Sequence, residues 1–344
     1  MGADASRPQG FNMQDNSWKS ALRWLPGTLI SLVAITAILY FVDLQRFMDA
    51  IRSANYWLLL SALAISFIWL VVRGMVWCTL LRGKATYRDT LLTACEGYLL
   101  NNFLPFRLGE IGRAFLLGRK SRLGFMEVLP TIIIERTLDL AFAAAILLSA
   151  VPFVVGAAGA GKIAIIIGGV VMVGLVALFI LSRNQIWVLG LFQRLSIRTP
   201  RLQKRGGEFL ASLFSGLSIL NDGWLFVRVL LWMTLNWVIA IFEFYLLILA
   251  FFPQTTLLWS LFGLGAVAFG NAIPSLPGAV GTFEGALGGA ITLLSGDQST
   301  ALAAALTSHL FNYFSTGIIG LYALSSEGET LMGIYHQLRK KQEG

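Results

Sequence analysis

The 344-residue chain is 56% hydrophobic and only 13% charged, with a mean hydropathy of +0.73, and its apolar runs are too many and too long for the core of a soluble domain. The net charge of +8 does not mark a nucleic-acid binder, because Lys and Arg gather between the apolar runs, where membrane topology accounts for them. Its two cysteines, Cys78 and Cys95, sit inside apolar runs and read as small buried hydrophobes, so neither a disulfide nor a metal framework is implied and no cofactor is expected.

In chain order, residues 1–24 form a polar tail without the apolar core of a signal peptide, and Trp18, Lys19, Arg23 and Trp24 give it the look of a membrane-surface anchor. A first span is expected over 25–42, then a short polar link over 43–56. A second span at 57–81 is interrupted by Arg73, which needs a partner or the water interface. Beyond Arg82, Lys84 and Arg88, the stretch 90–104 is too short for a full crossing and suits a re-entrant half-helix. An amphipathic, basic piece covers 107–122. Spans follow at 126–155 and, after a Gly/Ala-rich loop at 156–161, up to about residue 182. The basic connection 183–222 has apolar residues at helical spacing over 208–220, as in a helix lying in the interface. A further span covers 224–252, apolar pieces flank a second interruption at 257–273 and 282–294, a last span covers 300–325, and residues 326–344 form a short tail.

The two interruptions repeat one another. Asn102, Pro105, Gly109 and Gly112 recur as Asn271, Pro274, Gly278 and Gly281, each pair 169 residues apart, with Pro277 added in the second. Proline cannot continue a helix and glycine tolerates unusual backbone, and a broken helix at membrane depth survives only where its freed polar groups are buried in protein or face water. Paired breaks in two halves of a chain point to a transporter's binding site. With the N-terminus inside, 20 of the 26 Lys and Arg fall on the inner side and only Arg46, Arg52 and Lys162 on the outer. Both termini are then cytoplasmic, the first break enters from the cytoplasm and the second from outside. The expected fold is an all-α polytopic membrane protein, one transmembrane domain over 25–325. Its inverted-topology repeats, about 57–150 and 226–320, comprise about six full transmembrane helices and two re-entrant helical hairpins.

A carrier of an anion needs fixed positive charge or dipole at depth. The half-helices that start near Gly109 and Gly281 would aim N–H groups at the centre, with Arg107, Arg113 and Glu110 beside the first. Glu135, Arg136 and Asp139 share the 126–155 span at helical spacing, and such residues are costly in hydrocarbon unless they face a cavity or a partner. Two readings stand: an anion site built from Arg107, Arg113 and Arg136, or a structural ion-pair cluster tying this span to Arg107 or Arg113, with the arginines otherwise ordinary inside-positive residues. Arg73, Glu96 and Glu243 are further ionisable groups at membrane depth. Glu284 lies in the first turn of its half-helix, either as a cap or as a protonatable group coupling transport to protons. His309 reads as a packing histidine. Asn101, Asn102 and Asn271 are expected to satisfy backbone groups freed at the breaks.

Asn102, Pro105, Arg107, Gly109-Glu110 and Arg113, then Glu135-Arg136 and Asp139, then Pro274, Pro277-Gly278, Gly281 and Glu284-Gly285 together resemble the lysylphosphatidylglycerol synthase transmembrane, or flippase-like, family, over about 25–325. The resemblance implies lipid translocation, as in the flippase portion of the multiple peptide resistance factor, which moves aminoacylated phosphatidylglycerol across the bacterial membrane. About twenty residues follow the last span where the synthases carry a soluble aminoacyltransferase domain, so this chain alone is not expected to make lysylphosphatidylglycerol. No Ser-His-Asp set, HExxH, CxxC or phosphate loop is present. The expected function is a bacterial plasma-membrane transporter or flippase for a phospholipid or a lipid-linked anion (polyprenyl phosphate, aminoacylated or glycosylated). The alternative is a membrane-embedded lipid-modifying transferase or its non-catalytic partner. Expected partners are membrane lipids, with a lipid-modifying enzyme, a glycosyltransferase or a second copy of the chain left open.

Overall fold

The computed structural model describes residues 43–104, 107–121, 123–155, 184–195, 222–271, 273 and 275–326, with isolated positions at 32, 36, 169, 173, 206, 207, 210 and 214. The tails at 1–24 and 327–344, most of the span at 25–42, the span ending near 182, most of the 208–220 stretch, and Pro105 and Pro274 lie outside these residues. Among the described residues the chain is helical throughout: α1 (Leu44–Ser53), α2 (Tyr56–Leu80), α3 (Tyr87–Phe103), α4 (Leu108–Lys120), α5 (Phe125–Val155), α6 (Gln185–Leu195), α7 (Gly223–Leu249), α8 (Leu257–Gly270), a 3-10 turn (Pro277–Ala279), α9 (Thr282–Ser295) and α10 (Gln298–Ser326).

Side-chain caps set where several helices begin. Asn55 accepts from the N–H groups of Trp57 and Leu58 to start α2, Thr86 accepts from Asp89 to start α3, and Asp222 accepts from Leu225 to start α7. The polar link expected at 43–56 is in fact the helix α1. Asp43 caps it, and Leu44, Phe47, Met48 and Ile51 recur at helical spacing, a signal that a reading by overall polarity passes over. The connection at 183–222 likewise contains α6, where no helix was expected.

Helices α2, α5 and α7 are long and apolar enough to cross a membrane. Trp57 and Trp224, in the first turns of α2 and α7, are 80% and 72% exposed, as suits rings at a membrane–water interface. By contrast α3, α4, α8 and α9 have 17, 13, 14 and 14 residues, or about 20–25 Å at 1.5 Å per residue, short of a hydrocarbon core of about 30 Å.

Helix α2 packs lengthwise on α7, with the Asn55 N–H donating to the Ala250 carbonyl 2.9 Å away, so the start of one meets the end of the other. The other contacts fall in matching pairs: α2 with α3 and α7 with α8; α3 with α4 and α8 with α9; α4 with α5 and α9 with α10; α3 with α10 and α8 with α5. Among the described residues the two largest buried clusters lie among α2, α7, α8, α9 and α10 and among α2, α3, α4, α5 and α7. At one end of the molecule the turns after α2 and α4 approach each other, with Lys84 Nζ 3.6 Å from Glu127 Oε2. At the other end, the Asp43 N–H donates to Ser299 Oγ at 3.2 Å and α1 lies along α10.

Candidate functional site

Two short helical hairpins, α3–α4 and α8–α9, have their tips in contact: the Arg107 guanidinium donates to the backbone carbonyl of Asn271. Arg107 takes the left-handed conformation, φ +53°, uncommon for a side chain of its size, and so turns the chain into α4. The Gly109 N–H donates to Asn101 Oδ1 at 2.8 Å and the Gly281 N–H to Glu284 Oε2 at 2.7 Å. These two N–H groups, expected to point at an external anion, are thus engaged by side chains. Asn101 fills its expected backbone-capping role. Asn102 instead donates to Thr316 Oγ1 on α10 at 3.1 Å, and Asn271 contributes its carbonyl. Gly112 is buried within α4, and Pro277 opens the 3-10 turn in which Gly278 has φ +70°.

A buried charge set gathers where α2, α4 and α5 meet. Glu135, fully buried, receives Arg73 Nη2 at 2.5 Å, Arg113 Nη2 at 2.8 Å and Arg136 Nη2 at 2.7 Å. Arg73 also grips Asp139 with both terminal nitrogens, donates to Tyr98 Oη at 3.1 Å and to Asn236 Oδ1 at 3.3 Å, and lies 5.9 Å from the Trp69 ring. Arg113 lies 4.6 Å over the Trp77 ring with Nε 2.9 Å from Glu110 Oε2. Arg136 reaches Asp139 at 3.2 Å and Glu110 at 3.6 Å. Three guanidinium groups thus meet three carboxylates, and each of the six has an opposite charge within reach.

A cavity of about 640 Å³ opens beside this set, between the two hairpin tips and α2, α5, α7 and α10. Arg73, Arg107, Glu110, Arg136 and Asp139 reach its wall, while Arg113 and Glu135 lie behind it. The sequence-predicted residues are thus brought to one place but divided: Arg113 and Glu135 form the inner layer, Arg107 and Arg136 the face. Among the described residues Arg107 has no carboxylate within ion-pair distance. Arg136 Nε, Trp237 Nε1 and Asn271 Oδ1, all on cavity residues, are buried atoms with no hydrogen-bond partner among the described residues.

On the opposite wall His309 Nδ1 lies 2.6 Å from Glu284 Oε1 and its Nε2 2.8 Å from the Gly278 carbonyl oxygen. Glu284 is both a cap and a histidine partner, one oxygen for each. The sequence reading left Arg73 outside the site, treated His309 as packing and missed Tyr98, Asn236 and Trp77. Arg73 carried a signal, as a lone cation in an apolar run that had to find an anion. The others become visible only when α3, α7 and α10 are laid against α2 and α9.

The sequence matches the family model described as lysylphosphatidylglycerol synthase TM region over residues 24–320. It is also similar to a UPF0104 membrane protein of Methanothermobacter thermautotrophicus, 26% identical over 335 residues, covering 88% of this chain and 96% of the relative. No solved structure matches the chain. With its apolar spanning helices and a match that takes in both hairpins, the chain is a membrane-embedded protein that belongs to the lysylphosphatidylglycerol synthase TM region family.

Proposed function

We propose that this chain is a flippase-type carrier that moves a membrane lipid between leaflets by holding its anionic head group in the cavity between the two hairpins. The observation that carries the reading is Arg107. It faces a cavity of about 640 Å³ with only a carbonyl for a partner, whereas the other cavity arginines, Arg73 and Arg136, are held by carboxylates. A phosphate or phosphodiester offers the acceptors that a guanidinium fork fits best. A non-catalytic scaffold would have paired charges and no cavity.

The paired contacts of α2–α5 and α7–α10 support an inverted repeat, with two re-entrant hairpins entering from opposite sides and meeting where Arg107 touches Asn271. In that arrangement the turns after α2 and α4 are cytoplasmic and the turn after α9 external, as the charge bias requires. The anion then rests near the bilayer middle, within reach of either face.

The test is reconstitution into liposomes with labelled phosphatidylglycerol, phosphatidylethanolamine and a polyprenyl phosphate. Anionic members of the panel are expected to cross faster than in protein-free vesicles. Arg107→Gln should slow them about tenfold or more, as the loss of a charged hydrogen bond implies, while Arg194→Gln, exposed on α6, should not. Equal rates for the wild type and Arg107→Gln, or no lipid moved at all, would overturn the reading.

A further inference from the structure

We infer that Glu284 and His309 form a proton-binding site in the second half of the molecule, and that loading and release of this proton is coupled to movement of the anionic cargo. The coupling rests on the transport reading above; the proton site rests on its own geometry.

The imidazole of His309 is clamped. Phe283 stacks on it with centroids 4.3 Å apart and Tyr313 approaches at 4.7 Å, and both ring nitrogens face oxygen atoms, Gly278 O at 2.8 Å and Glu284 Oε1 at 2.6 Å. A carbonyl oxygen can only accept, so Nε2 carries a hydrogen. At 2.6 Å two lone pairs cannot face each other, so a second hydrogen lies between Nδ1 and Oε1, on whichever atom. The pair therefore holds two protons and is neutral overall, written either as imidazolium with carboxylate or as imidazole with carboxylic acid. Release of the shared proton to water leaves a neutral imidazole, a carboxylate and one net negative charge. It also sets the Nδ1 lone pair against Oε1, which loosens the tie between α10, the first turn of α9 and the left-handed turn at Gly278, φ +70°.

The site has a route to the cargo, because His309 and Gly278 both line the cavity. The other titratable groups lining the cavity come from every neighbouring helix: Arg73 of α2 paired with Asp139 of α5, Arg136 of α5 with Glu110 of α4, Tyr98 of α3, Arg107 ahead of α4 and Glu243 of α7. Tyr313 of α10 completes the surroundings. With the arginine–carboxylate groups in balance, the field in the cavity is set by Arg107, Glu243 and the Glu284–His309 pair. An anion near Arg107 disfavours the added negative charge, so anion binding holds the proton in place, and by linkage the proton favours the anion. Proton and anionic lipid are thus bound together and released together.

Two measurements on the full chain decide this. In detergent, nitrogen-15 NMR of labelled histidine is read in a His336→Gln background, which leaves His309 as the single imidazole of a chain with two. The ring-nitrogen shifts are expected to show the shared proton leaving in one step as the pH is raised. Glu284→Gln can keep both contacts, accepting from the Gly281 N–H and donating to Nδ1, but cannot release the proton, so the titration should disappear. In liposomes, an imposed pH gradient should change the initial rate of anionic-lipid movement several-fold in the wild type. In Glu284→Gln the ratio of rates with and without the gradient should fall to one. A His309 that does not titrate in the wild type overturns the site, whether or not the variant folds. Lipid movement indifferent to the gradient, or a Glu284→Gln protein that keeps the gradient ratio, overturns the coupling. A wild type that titrates yet moves no lipid overturns the transport reading, and the coupling with it, while the proton site stands.

Discussion

Arg73 holds Glu135 and Asp139 of α5 at once, with its side chain only 3% exposed. Breaking such a set by removing one partner leaves uncompensated charge in a dry interior, at a cost of about 3–5 kcal/mol. Arg73→Leu is therefore expected to lower the thermal unfolding temperature in detergent markedly. Arg107→Gln, which gives up one bond to a backbone carbonyl, should leave that temperature within a degree or two of wild type. If both variants melt alike, the division between an arginine held by carboxylates and a cavity cation without one is wrong. A lone arginine in an apolar run announces that it has a partner. Which carboxylate it finds depends on the rotation of α5 against α2, and no spacing within either helix encodes that.

At the scale of elements, the hairpin α3–α4 closes on glycine. A Cβ on Gly109 would collide with the Gly97 carbonyl oxygen and lie 2.7 Å from the Asn101 nitrogen, and one on Gly320 would lie 2.8 Å from the Cys95 carbonyl oxygen, where α10 crosses α3. Close approach between small residues is how helices associate without a hydrophobic drive. Gly281 is needed for another reason, its φ of +87° ahead of α9. Gly285 in α9 has open space around its Cβ position. Gly109→Ala should cost at least about 2 kcal/mol in unfolding measurements, whereas Gly285→Ala should be neutral or stabilising by up to about 1 kcal/mol. A Gly109→Ala protein as stable as wild type would remove close approach as the reason for this residue. The motif order Asn, Pro, Gly, Gly located both hairpins from the chain alone. That Gly109 meets a neighbouring backbone while Gly281 bends its own was decided by packing.

For the whole molecule, the inverted arrangement proposed above makes a prediction about sidedness. In a Cys78→Ala, Cys95→Ala background, Lys84→Cys and Gln298→Cys, both at exposed positions, are expected to react with a membrane-impermeant thiol reagent from opposite faces of sealed right-side-out cells, Gln298→Cys from outside and Lys84→Cys only after the membrane is opened. Labelling of both from the same side would contradict the inverted repeat. The two halves share a packing scheme but not their chemistry. Counted by 169 residues, Arg136 and Asp139 of α5 fall at Ala305 and Ser308 of α10, so the arginine–carboxylate set belongs to the first half and the Glu284–His309 pair to the second. In the proposed carrier, one wall of the cavity would then handle the anion and the other a proton.

The amino-acid order alone determined that the chain lives in a membrane, where most helices begin and end, that two breaks repeat, and that charged residues cluster near them. These are properties of local composition and of distances along the chain, which length, periodicity and proline or glycine placement express directly. The helix α1 escaped because its polarity hid its period. Only the tertiary structure decided that Arg113 lies behind the cavity and Arg107 on it, that Arg73 completes the charge balance, and that His309 meets Glu284. The reason is physical: a buried charge is stabilised by whichever opposite charge or dipole lies within about 3–4 Å, and those neighbours come from helices far away in the chain, as Asn236 does for Arg73 across 163 residues.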